Sequence, residues 1–248
     1  MKKIFPFLFL MWSLATQAQP LRVAVAANAQ FVMKALQADF KKKTGIETEV
    51  IVGSSGKLTA QIKNGAPYDV FLSADMEFPK TLYNEGFGIN RPKVYALGSL
   101  IVCSTSGLDI KNWRSLSVTG KVNKIAIANP ALAPYGKAAR QVLRNYGLWD
   151  KINTKMVFGE SISQVNTYIA AGAVSLGFTT EALICESPDA AKLKWLKVDH
   201  KAYDEIKQGM LILAHAKRGN YNKAIKFFNY LQSPAARQLF VKNGYRIP

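Results

Sequence analysis

Short apolar runs alternate with amphipathic stretches along almost the whole chain. Residues 21–27 (L-R-V-A-V-A-A) are nearly all apolar, as a parallel strand covered on both faces requires. Asn28 follows as a helix N-cap candidate. Phe31, Val32, Ala35, Leu36 and Phe40 then trace one face of a helix stopped at Thr44-Gly45. Residues 49–52 read as a second strand. The turn Gly53-Ser54-Ser55-Gly56 comes next, then a helix over 57–62 with Leu58 and Ile62 four apart. Gly65 and Pro67 stop it, and residues 70–73 (V-F-L-S) read as the next buried strand. Strand, helix and strand in so few residues predict a parallel βαβ unit with a right-handed crossover. A short helix over 79–85 follows.

Residues 94–104 form a long apolar run interrupted by Gly98, which predicts a strand passing between two domains. The earlier logic then repeats. Residues 124–128 are a strand, 129–136 (N-P-A-L-A-P-Y-G) a turn-rich loop, and 137–146 a helix with Ala139, Val142, Leu143 and Tyr146 inward. A strand over 155–158, the turn 159–163 (G-E-S-I-S), a helix carrying Val165, Tyr168 and Ile169, and a strand over 174–178 follow. Residues 194–198 lead back, and 208–215 (Q-G-M-L-I-L-A-H) form a strand that does not belong to the middle domain. Helices over 222–231 and from Ser233-Pro234 to Gly244 close the chain. The pattern predicts two α/β lobes, each a mostly parallel sheet flanked by helices. Lobe I is 19–97 plus 205–248, and lobe II, 98–204, is inserted into it. Two crossing segments and a cleft suit hinge closure on a ligand.

Composition changes the picture at three points. Lys2 and Lys3, the apolar residues 4–14 and the small residues at Thr16 and Ala18 have the layout of a secretory leader, residues 1–18. An exported, periplasmic protein is therefore expected, with no lipid anchor because no cysteine lies near the cleavage site. The formal charge is +17, and loss of Lys2 and Lys3 lowers it by two to +15. That charge brings nucleic acid into view. The lysines are scattered, however, no zinc-finger or helix-turn-helix pattern accompanies them, and export removes such partners, so no nucleic-acid partner is expected. Cys103 and Cys185 are either a disulfide or two buried thiols. The oxidising compartment permits the first, and sequence spacing does not choose.

Enzyme chemistry finds little footing. His200 and His215 have no catalytic partner in recognisable spacing, no metal-ligand pattern appears, and Asp69 reads as a strand-start cap. Each βα turn instead brings small neutral donors to a helix start. On its own, Gly53–Gly56 is either a serine N-cap with turn glycines or an anion seat. Recurrence favours the anion: Asn28 and Ser55 take equivalent places in successive units, and the Tyr135 hydroxyl and the backbone near Ser161-Ile162 face them from the second lobe. Convergent N–H and O–H groups hold a tetrahedral oxyanion without a counter-ion.

At these residues the chain resembles the periplasmic molybdate-binding proteins of ABC importers, over essentially the whole sequence after the leader. The resemblance rests on V-A-V-A-A-N-A at 23–29, on the long run G-S-S-G-K-L through F-L-S-A-D at 53–75, and on A-I-A-N-P-A-L-A-P-Y-G at 126–136. L-G-F-T at 176–179 and the C-terminal S-P and G-Y-R-I-P add to it. It implies a type II periplasmic-binding fold and a monomer that delivers molybdate or tungstate to a membrane permease without a cofactor or direct metal ligands. By motif position the ligand contacts are Asn28, Ala27, Ser55, Tyr135 and Ile162, with Ser54, Ser161 and Thr180 as further candidates. Many relatives have serine where Asn28 stands, and some have tyrosine where Thr180 stands. Sulfate or phosphate is the alternative ligand.

Overall fold

The computed structural model describes residues 19–186 and 190–248. The expected leader, 1–18, lies outside them. Lobe I begins with β1 (Leu21–Ala26), a 3₁₀ turn (Ala27–Ala29) and α1 (Gln30–Thr44). It continues through β2 (Thr48–Gly53), α2 (Ser55–Lys63), β3 (Val70–Leu72), α3 (Glu77–Asn84) and β4 (Lys93–Gly98). Lobe II holds β5 (Leu100–Ser104), α4 (Trp113–Ser117), β6 (Ile125–Ala128), α5 (Pro134–Asn145), β7 (Met156–Gly159), α6 (Ile162–Ala170), β8 (Leu176–Thr180), α7 (Ala182–Glu186) and β9 (Lys194–Lys197). The chain then supplies β10 (Ile206–Ile212), α8 (Tyr221–Tyr230) and α9 (Pro234–Lys242).

The strands form two five-stranded sheets of matching plan, β2-β1-β3-β10-β4 and β7-β6-β8-β5-β9. In each, three strands are parallel and the two on the far side run antiparallel to their neighbours. The expected βαβ unit exists as β2-α2-β3, but its crossover steps over β1, which pairs with both strands. The apolar run of β1 is explained by its two covers. Leu21, Val23 and Val25 pack with Leu36 and Phe40 of α1 and with Phe227 and Phe240, while Ala24 faces Leu58, Ile62 and Leu82. Period-two alternation assigns successive residues to opposite cores.

The apolar run over 94–104 is two strands, not one. β4 ends at Gly98 in the first sheet and β5 starts at Leu100 in the second. The return lies between β9 and β10. The two crossings are tied together, since the Leu100 N–H donates to Tyr203 Oη at 3.1 Å. Beneath lobe I, Asp69 takes more than a cap's share. Its buried carboxylate accepts from Arg22 N–H at 2.9 Å and from Asn220 Nδ2 at 2.8 Å, and lies 3.0 Å from His215 Nδ1. These bonds pin the start of β1 to the turn before α8. His215 therefore does have a carboxylate partner, 146 residues away in the chain, a separation no local pattern can reveal.

Cys103 and Cys185 form no disulfide. Cys103 is buried in β5 and burial pushes its thiol up to about 12, whereas Cys185 is exposed rather than buried. The thiolate is the reactive form, so an aromatic disulfide reagent should label one thiol per chain in the native protein and two in denaturant. Rapid labelling of both in the native state would contradict the burial of Cys103.

Candidate functional site

The first-turn amides of an α-helix have no partner within the helix, and the dipole places partial positive charge there. α2, α5 and α6 all begin at one small cavity between the lobes, and the 3₁₀ turn leading into α1 meets it from the fourth side. The lining is Ala26, Ala27, Asn28, Ser54 and Ser55 from lobe I, and Ala133, Pro134, Tyr135 and Ile162 from lobe II. None of these nine residues is charged. No acidic residue stands in the first turn of α1, α2, α5 or α6, so nothing on these helices neutralises their positive ends. The free space there is about 10 Å³, about the least a single water needs.

Six of the eight expected residues line the cavity: Ala27, Asn28, Ser54, Ser55, Tyr135 and Ile162. Ser54 is the N-cap of α2, its Oγ accepting from Lys57 N–H at 3.3 Å. The Ser55 Oγ accepts from Ala74 N–H at 3.0 Å, which fixes the hydroxyl and leaves its proton to donate. Ile162 opens α6, and Ser161, the N-cap before it, bonds Gln164 N–H. Ser161 is thus a shaping residue at the rim. Thr180 does not line the cavity. It donates to Tyr135 Oη at 3.2 Å, acting through the tyrosine.

Two local expectations change. Asn28 is not an N-cap: an extra 3₁₀ turn intervenes, and Ala29 holds that place without a side-chain bond. Tyr135 is not in a loop, because α5 starts at Pro134, which suits the first helical position. That start packs hard on β6. A Cβ on Gly136 would fall 2.0 Å from the Ala128 carbonyl oxygen, so glycine after Tyr135 is what lets the helix begin there. Gly56 plays a similar part across the cleft. Its N–H donates to Leu132 O of the other lobe at 2.9 Å, and a Cβ would sit 3.0 Å from the Leu132 Cα.

Behind the cavity lies a buried hydrogen-bonded network that sequence reasoning missed. Gln208 of β10 is fully buried. Its Oε1 accepts from Asn28 Nδ2 at 2.7 Å and from Tyr95 Oη at 2.8 Å, and its Nε2 donates to Tyr135 Oη at 3.4 Å. Tyr245 Oη donates to the Asn28 carbonyl at 2.6 Å. Tyr135 Oη thus accepts from Thr180 and Gln208, and its own proton is left for the cavity. Burial pushes the Tyr135 phenol well above its usual range, against a lowering by the Thr180 bond, so it stays a neutral donor. Gln208 is a buried link between the lobes, touching Asn28 on one side and Tyr135 on the other. The only sequence signal was a glutamine at the head of an apolar run.

Two neighbouring cavities suit an anion less. They measure about 110 and 220 Å³, lie along the lobe junction and include Asp75 and Glu77 in their walls, and carboxylates repel an oxyanion. Among the described residues no group of three or more His, Cys, Asp or Glu is placed to hold a metal ion.

Residues 21–246 match the family described as bacterial extracellular solute-binding protein. The molybdate-binding protein ModA of Azotobacter vinelandii is 33% identical over 232 residues, 93% of this chain and 91% of that protein. ModA of Rhodobacter capsulatus is 34% identical, over 90% of this chain and 86% of that one. The solved structure of the Azotobacter vinelandii periplasmic molybdate-binding protein superposes with a TM-score of 0.85 at 34% identity, covering 92% of this chain and 99% of that chain.

Proposed function

This chain belongs to the bacterial extracellular solute-binding proteins and, among them, to the ModA molybdate-binding proteins, and from that premise we propose that it captures molybdate, and tungstate with it, between its lobes. The observation that carries the reading is the convergence of four uncharged helix starts from two lobes on one cavity, with no acidic residue in any first turn. Ser55 and Tyr135 supply hydroxyl protons. The first-turn amides at residues 27–29, at Ser55 and at Ile162 supply N–H groups. The oxyanion is held through its oxygens, with no protein atom on the metal. A cavity walled without carboxylates favours an anion that brings no proton of its own, which counts against hydrogen phosphate. Donors fixed by helix starts also read oxygen spacing, which separates molybdate from the smaller sulfate.

In this reading the protein is exported to the periplasm by the leader and works as a monomer. It delivers its cargo to the membrane permease of an ABC importer, with no enzymatic step. Closure is stabilised at the rim by two salt bridges between lobes, Lys57–Glu160 at 2.8 Å and Lys137–Glu77 at 2.7 Å, both exposed and so each worth at most about 1 kcal/mol.

Calorimetric titration of anion-stripped protein with molybdate, tungstate, sulfate and phosphate tests the proposal. One-to-one binding of the first two and none of the others is expected. Tyr135→Phe and Ser55→Ala should each weaken binding about 10- to 100-fold, the loss of one hydrogen bond to a charged group. Tight sulfate or phosphate binding would move the protein to another oxyanion class. No binding of any of the four would refute the oxyanion reading.

A further inference from the structure

Between residues 111 and 155 the chain has nine Lys or Arg and a single acidic residue, Asp150. The fold gathers most of these cations at one place. β6, β7 and β8 are parallel, so they start at the same edge of the second sheet. Lys124 immediately precedes β6 and Lys155 immediately precedes β7. α5 runs back to that edge, which puts Arg144, Tyr146, Trp149 and Lys151 there. Lys155 Nζ donates to Ser117 O and Thr119 O at 3.0 and 2.7 Å, drawing in the end of α4 and with it Lys121. Arg114 Nη2 donates to Tyr146 Oη at 3.0 Å, and its guanidinium lies 3.8 Å from the centre of that ring.

Six cations result: Arg114, Lys121, Lys124, Arg144, Lys151 and Lys155. Among the described residues none of them makes an ion pair with a carboxylate. By contrast, lysines on either side of the cleft do pair, as Lys57 and Lys137 show. Apolar surface is set among the six. Phe158 is 48% exposed and Val118 44%, and the Trp149 ring, 6.5 Å from that of Phe158 and half-buried, lies near Arg144. The oxyanion cavity is at the opposite, carboxyl edge of the same strands.

We propose that this pole of lobe II docks on an anionic phospholipid surface. Unpaired cations gain from a layer of phosphate headgroups, and Trp, Tyr and Phe set among them suit the boundary between headgroups and acyl chains. Docking by this pole leaves the cleft clear and confines the protein to the plane in which a permease sits. The proposal rests on the export reading above but not on the identity of the oxyanion.

Cosedimentation of the chain from residue 19 onward tests it, with vesicles of phosphatidylcholine alone and of phosphatidylcholine mixed with phosphatidylglycerol. Binding to the mixed vesicles only, and its loss at high salt, is expected. The triple variant Lys121→Glu, Lys124→Glu, Lys151→Glu should bind them at least about 100-fold more weakly, roughly fivefold per cation removed before the repulsion of the added carboxylates. The triple Lys34→Glu, Lys217→Glu, Lys226→Glu makes the same change of net charge on lobe I and should lose less than fivefold. Equal losses in the two triples would show that only net charge matters, and would overturn the assignment to this pole. Equal binding to both vesicle types, or binding to neither, would overturn the lipid proposal. Molybdate titration of the first triple should be unchanged, so a failure here is distinct from a failure of the oxyanion reading.

Discussion

Gly98→Ala should abolish tight oxyanion binding in a protein that still folds. Gly98 is the last residue of β4, opposite Ile206 at the crossing between lobes. Its φ is not in the left-handed region, so alanine is acceptable to the backbone. The obstacle is space. A Cβ there would lie 2.1 Å from Tyr135 Oη, 2.9 Å from its Cζ and 3.0 Å from Gln208 Nε2. The tyrosine ring is 1% exposed and cannot swing aside without leaving Thr180 and Gln208. Relief comes from displacing the ring by an ångström or more, or from holding the lobes apart. Overpacking of this kind costs about 1–3 kcal/mol, or up to roughly 10 °C in melting temperature for a protein of this size. Misplacing the donor by about 1 Å is worth on the order of 100-fold. The expected result is an affinity loss of about 100-fold or more with a cooperative melt retained. The double variant with Tyr135→Phe should recover part of the lost stability, because the worst overlap is with the hydroxyl. Binding of molybdate by Gly98→Ala at the original affinity would refute this account of the glycine.

Gln208→Leu should be the more damaging change to stability. Leucine fits a strand between two cores, and by hydrophobicity alone the substitution looks benign. But Oε1 is the acceptor for two buried donors, Asn28 Nδ2 and Tyr95 Oη. Without it they keep only long contacts, Asn28 Nδ2 to Tyr245 Oη at 3.4 Å and Tyr95 Oη to Ser73 O at 3.3 Å. Leaving a buried donor unsatisfied costs about 1–3 kcal/mol, so the pair amounts to about 2–6 kcal/mol, offset in part by the added apolar contact. Urea unfolding should show a lower midpoint with an unchanged slope. Binding should weaken as well, since Asn28 and Tyr135 lose the side chain that holds them in common. A midpoint equal to that of the unsubstituted protein would mean that the network is bridged by water.

Gly98 and Gln208 mark the limit of what local sequence carries. Ser55 and Ile162 were legible because each follows a strand and opens a helix with small polar turn residues, a pattern contained in about ten residues. Tyr135 is legible as a residue but not as part of a helix, since Pro130 and Pro134 together read as a turn. Only the packing of Gly136 on β6 shows that the second proline starts the helix. Asn28 looked like a cap because cap residues favour such positions, and the 3₁₀ turn that displaces it is set by its bonds to Gln208 and Tyr245. Gln208, Tyr95 and Tyr245 could not be read, because a polar residue in an apolar run carries no mark of its partner.

By itself, then, the sequence determined what local physics determines. Hydrophobic period set the order of strands and helices, and turn chemistry set which residues open each helix. Apolar runs required strands buried on both faces, and therefore helices on both sides of each sheet. The tertiary structure decided what depends on residues far apart in the chain. It brought the helix starts of two lobes to one point and split the crossing strand at Ser99. It also tied Asn28 to Tyr135 through Gln208, 180 positions from the first and 73 from the second. The physical reason is range. Backbone preference and side-chain period act over a few residues, whereas convergent donors and satisfied buried amides exist only after the lobes have packed.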